Sequence, residues 1–215
     1  MRLLDISTQE SILGSPTNLS EELRLEGVSH LLAILCDAYR NLHTHSKITL
    51  SMGETGINEE FYRCVQMMWF DKGPKTLTPI HEKSHGKRME GRGKTPTIDI
   101  CFRDWDPDLY FGVECKILED KKERYDYYIK GGICRYISGD YSKKFPTGAM
   151  IGYVVNGDFS KIITEVKHRI DTVPHSSNMK ISSPINGFKE HYESVHKRKT
   201  GVSPFNIHHL FFCFT

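Results

Sequence analysis

Between Pro96 and Leu118, two short runs rich in branched and aromatic residues carry charged side chains among apolar ones, and this narrows what the chain can fold into. Thr97-Ile98-Asp99-Ile100 and Phe111-Gly112-Val113-Glu114-Cys115-Lys116-Ile117-Leu118 both read as β-strands, and the intervening Asp104-Trp105-Asp106-Pro107-Asp108 is a strong turn signal. A hairpin is the simplest arrangement. With a side-chain period of two, Tyr110, Gly112, Glu114 and Lys116 share one face of the second strand, and Phe111, Val113, Cys115 and Ile117 share the other.

A charged side chain flanked by core-type neighbours must be paired, hydrated or metal-bound to offset its desolvation. The plainest account is a Glu114–Lys116 pair on a half-exposed sheet face. Asp99 on the preceding strand adds a second carboxylate, and two acids converging from neighbouring strands suit Mg²⁺, which prefers oxygen ligands and keeps several waters, with Lys116 close by.

Asp99 followed by Glu114-Cys115-Lys116 at the end of a hairpin resembles the Asp…(Asp/Glu)-X-Lys signature of the PD-(D/E)XK nuclease superfamily. The resemblance implies an α/β fold: a restriction endonuclease-like core with a mixed central β-sheet flanked by helices, here with an N-terminal helical extension. It implies that Asp99 and Glu114 hold Mg²⁺ or Mn²⁺, that the Cys115 carbonyl adds a ligand, and that Lys116 orients or activates the attacking water. The implied activity is metal-dependent hydrolysis of phosphodiester bonds in DNA, in systems such as prokaryotic defence, restriction, repair or recombination. The sequence departs from the pattern in one respect: Pro96 stands three residues before Asp99 instead of next to it.

The superfamily often places a glutamate on a helix before the hairpin. Ile57, Phe61, Val65 and Met68 fall at helical spacing, and Glu54 heads that stripe, with Glu60 as its rival. An acid at a helix N-terminus also has a purely electrostatic rationale. After Lys116, Tyr125, Tyr128, Ile129, Gly132, Ile133, Tyr136 and Ile137 mark an amphipathic helix from Glu119 to Ser138. Lys130 and Arg135 on its other face are the candidate phosphate-binding residues, as the resemblance implies, while Gly131-Gly132 points to a kink or a close backbone approach.

The rest fits one compact α/β unit: a loose arm over the first ~19 residues, a helix from Ser20 to about Asn41, a central strand over Ala149–Val155, a helix capped by Asp158 and a last strand over Ile207–Phe214. The division is an arm and helical extension over 1–45 packed on a nuclease-like domain over 46–215. No run approaches the ~20 apolar residues of a membrane span, so a soluble cytoplasmic protein is expected. The six scattered cysteines suggest buried thiols.

The formal net charge is only +2, so affinity for nucleic acid must come from local concentration. The stretch from Asp71 to Thr95, read as a mobile loop, holds Lys72, Lys75, Lys83, Lys87, Arg88, Arg92 and Lys94 against Asp71, Glu82 and Glu90. Of these, Lys87, Arg88, Arg92 and Lys94 are the main candidates for backbone phosphates. Two patterns are decoys. His81-Glu82-Lys83-Ser84-His85 spells H-E-x-x-H but lacks an apolar helical context, and Asp104, Asp106 and Asp108 lack the glycine and glutamate of a calcium loop. Near the end, His191, His196, His208 and His209 cluster without paired cysteines, and Ser194-X-His196-X-Arg198 suggests a grip on phosphate. The rival to the nuclease is a non-catalytic nucleic-acid-binding or assembly subunit that keeps the fold. Cutting both strands of a duplex would call for a homodimer or a partner protein.

Overall fold

The computed structural model describes residues 27–73, 77–84, 97–103 and 109–215. Helix α1 (Val28–His45) is followed by a short 3₁₀ turn (Leu50–Met52), helix α2 (Gly53–Lys72) and strands β1 (Thr78–Ser84), β2 (Thr97–Arg103) and β3 (Tyr110–Leu118). Next come α3 (Lys122–Tyr127), a π-helical turn (Tyr128–Ile133), α4 (Cys134–Ser138), β4 (Thr147–Val154) and α5 (Phe159–Asp171). Strands β5 (Lys180–Ile181), β6 (His191–His196) and β7 (Phe205–Cys213) complete the chain.

The seven strands form one open mixed sheet in the order β1-β2-β3-β4-β7-β6-β5. Strand β3 runs antiparallel to β2 and parallel to β4, β4 is parallel to β7, and the outer pairs are antiparallel. The apolar run of β4 is buried along its whole length at the centre, as a strand covered on both faces should be. Helices α1 and α2 cover one face: Leu31, Leu35, Ile57, Phe61 and Val65 pack with Val113, Cys115, Ile151, Leu210 and Phe212. The segment from α3 to α4 and helix α5 supply Tyr128, Ile133, Tyr136, Ile162 and Val166 to the other core, against Met150, Val154, Ile207 and Phe211. Asp158 caps α5 by accepting from the Lys161 N–H at 2.7 Å. All six cysteines are free thiols. Among the described residues no helix is long and apolar enough to cross a membrane.

Three elements differ from the sequence reading. The stretch from Asp71 to Thr95 is not one loop, because Lys72 ends α2 and Thr78–Ser84 is an edge strand paired with β2. His81 to Ser84 therefore lie on a strand and not on the helix that an H-E-x-x-H zinc site requires, while His85 lies outside the described residues. Strands β5 and β6 lie in a region to which the sequence reading assigned no element. Lys87, Arg88, Arg92 and Lys94, the Asp104–Asp108 turn, the first 26 residues and hence the arm lie outside the described residues.

Candidate active site

The site forms where the β2–β3 ladder opens. Pairing runs from Arg103↔Tyr110 to Ile100↔Val113 and goes no further, although β3 continues beside β4 as far as Leu118. Strict alternation on β2 also breaks there: Ile100 and Phe102 face α1 and α2, whereas Ile98 and Cys101 both join the opposite core. Gly112 makes the crossing possible, since a Cβ on it would lie 2.4 Å from Ile98 Cδ1.

Backbone groups on the freed edge of β3 need partners. Asp99 Oδ2 accepts from the Cys115 N–H at 2.7 Å, Glu54 Oε2 accepts from the Ile117 N–H at 3.2 Å, and Lys116 Nζ donates to the Cys115 carbonyl at 2.7 Å. Side chains thus replace the missing strand. The same groups converge on one ammonium: Lys116 Nζ lies 2.9 Å from Glu54 Oε1, 2.9 Å from Glu114 Oε1 and 4.0 Å from Asp99 Oδ2. Glu54 reaches this point because Gly53, at φ +66°, turns the chain from the 3₁₀ segment into α2 and leaves Glu54 in the first helical turn.

Glu114 and Lys116 are each only 2% exposed, which excludes a surface ion pair on a half-open sheet. One of Glu114's oxygens, Oε2, is buried without a hydrogen-bond partner. Burial pushes the Glu114 carboxyl up to about 8, with Asp99's charge adding to the rise and Lys116 opposing it. Burial likewise raises Asp99 to about 6, against the pull of Lys116 and the Cys115 N–H. Desolvation disfavours the Lys116 ammonium, but Glu114, Asp99 and Glu54 outweigh it and hold the amine above its usual range. Glu54, Asp99 and Glu114 gather oxygen donors around one ammonium, and Glu114 keeps a spare buried oxygen, the donor type that Mg²⁺ and Mn²⁺ prefer.

The other sequence candidates divide. Glu60 pairs with Arg63 at 2.6 Å on the helix surface, so of the two rivals it is Glu54 that meets Lys116. Arg135 donates to the Tyr141 hydroxyl at 2.5 Å, and its charge bears on Glu114. Lys130 is exposed on the π-helical turn. Arg198 is no phosphate grip: it is 6% exposed, donates to the carbonyls of Tyr136 (2.7 Å) and Ser142 (3.0 Å) and lies 3.9 Å from the centre of the Phe205 ring.

One residue escaped the sequence reading. Tyr127 lies off the apolar stripe of its helix, 47% exposed, with the Lys116 ammonium 5.0 Å from its ring centre. Its signal was Gly131: a Cβ there would lie 2.7 Å from the Tyr127 ring, while one on Gly132 would meet Met150 at 2.3 Å and Glu114 Cγ at 3.8 Å. The paired glycines thus let the π-helical turn close over the site.

Comparisons with family models, curated proteins and solved structures give no match to this chain.

Proposed function

We propose that this chain is a metal-dependent nuclease with a restriction endonuclease-like core of the PD-(D/E)XK type, hydrolysing phosphodiester bonds in DNA. The observation that carries this reading is the meeting of Glu54, Asp99, Glu114 and Lys116, drawn from a helix and two strands, at the opening of the β2–β3 ladder. Asp99 and Glu114 would hold Mg²⁺ or Mn²⁺, with the Cys115 carbonyl beside them. The bound ion would offset the charge that builds on the phosphate during attack.

Lys116, which donates to the Cys115 carbonyl and lies against Glu54 and Glu114, would position or deprotonate the water. Glu54 fixes the ammonium and ties α2 to β3. Tyr127 would offer an exposed aromatic face to a nucleotide base, and Arg135, whose charge bears on Glu114, would contact a phosphate. Lys130 would be a further phosphate contact, and Lys87, Arg88, Arg92 and Lys94 are proposed as phosphate-binding residues on their sequence alone. Cutting a duplex on both strands would use a second copy of the chain or a partner protein.

The second reading is a non-catalytic DNA-binding or assembly subunit. It draws on the Cys115 and Ile117 contacts, since these side chains also cap backbone that would otherwise be orphaned. Asp99→Ala and Lys116→Ala separate the two. In the nuclease, both abolish Mg²⁺-dependent cleavage while the folded chain retains DNA; in the assembly subunit there is no Mg²⁺-dependent cleavage to lose, and both lower stability through the lost backbone caps while DNA retention is kept.

A further inference from the structure

We propose that His191, Glu193 and His208 form a binding site for a transition metal of the zinc class, separate from the Asp99–Glu114–Lys116 cluster. Strand β6 places His191 and Glu193 two residues apart on one face, and its register with β7 sets Glu193 opposite His208. Strand β4 separates β7 from β3, so the two clusters share no strand.

His191 Nε2, His208 Nδ1 and Glu193 Oε1 all lie within 4.8 Å of one another. Nε2 to Nδ1 is 3.1 Å, Nδ1 to Oε1 is 3.3 Å and Nε2 to Oε1 is 3.7 Å. Nitrogen and oxygen donors held at ~2.0–2.2 Å from a tetrahedral ion stand about 3.3–3.6 Å apart, so the atoms already have near-ligating separations.

The protons point the same way. His191 Nδ1 lies 2.9 Å from the Ser183 carbonyl, which can only accept, so Nδ1 carries the hydrogen and Nε2 turns a lone pair toward the centre. Ser182 donates to Glu193 Oε1 at 2.7 Å and steadies the carboxylate. Such outer contacts are how proteins orient metal-ligating imidazoles and carboxylates. His208 Nδ1 then faces two acceptors, and without an ion it must hold a proton between them. A cation replacing that proton satisfies all three donors at once. Both imidazoles are buried, at 4% and 8% exposure, while the Glu193 side chain is 37% exposed and leaves the solvent side open for entry. Two imidazoles and one carboxylate select zinc-like ions over Mg²⁺ or Ca²⁺.

The test is calorimetric titration of the metal-stripped full chain with Zn²⁺, together with the visible spectrum of the Co²⁺-loaded protein. Expected are one tightly bound Zn²⁺ per chain, affinity lowered by about 100-fold or more in His191→Ala and Glu193→Gln, unchanged affinity in Asp99→Asn, and a tetrahedral Co²⁺ spectrum. Absent tight binding, an affinity in either ligand variant equal to that of the unaltered chain, or loss of the Zn²⁺ site with Asp99→Asn would overturn the proposal. Should the ligand variants fail to fold, the Co²⁺ spectrum of the unaltered chain decides, an octahedral or missing signal counting against the site. No DNA cleavage is read, so the result stands apart from the nuclease reading.

Discussion

At the scale of single residues, the molecule spends its charged groups twice, once on capping the open edge of β3 and once on concentrating carboxylates around Lys116. Glu54 does both, whereas Glu60 pairs only with Arg63 on the surface. Glu54→Gln should therefore lower metal-dependent cleavage on the order of 10²-fold or more, while Glu60→Gln leaves the rate within about twofold; single-turnover rates on one DNA substrate measure the contrast. The sequence left these two acids open, because both sit on one helix and only packing against β3 tells them apart. Asp99, Glu114 and Lys116 were legible, since charge in an apolar strand is costly and so conspicuous.

Away from that site, a buried relay runs from Tyr128 to His209, Ser194, His196 and Ser176. Burial lowers His196 to about 4, below its value in an unfolded chain. The unfolded chain takes up the proton first as pH falls, so the stability given by neutral His196 is complete above about pH 6.5 and drains away toward pH 4. Between pH 7.5 and 5, wild type should lose about 2 kcal/mol more stability than His196→Gln, read from urea unfolding at the two pH values.

At the scale of elements, the buried and strongly periodic pieces were legible: β3, β4, β7 and the capped helix α5 follow directly from apolar runs and Asp158. The edges were not. Strand β1 contains Pro79 and several polar residues, and β6 reads His-Tyr-Glu-Ser-Val-His, so each owes its form to the neighbour it pairs with. The π-helical turn left only the Gly131-Gly132 pair as its trace. The two glycines should respond differently to alanine. Gly132→Ala drives into buried Met150 and should cost about 1–3 kcal/mol in thermal or chemical unfolding. Gly131→Ala meets the half-exposed Tyr127 ring, which can swing away, so stability should change by less than about 1 kcal/mol while DNA cleavage falls.

At the scale of the whole molecule, a mixed seven-stranded sheet carries helices on both faces and one opened seam. That seam brings an element from each side to a common point: Glu54 from α2, Tyr127 from α3, and the β3 charges between them. The modest overall charge of +2 then places the demand for DNA affinity on local groups, and binding should weaken as salt rises in proportion to the few phosphates contacted. The most direct test of the account is to incubate the purified chain and its Asp99→Ala variant with plasmid, linear duplex and single-stranded DNA, with Mg²⁺ or with chelator. The account predicts cleavage of at least one substrate by the unaltered chain in Mg²⁺ alone, and none by the variant; intact DNA in every lane with folded protein, or cleavage that ignores chelator and variant alike, would contradict it.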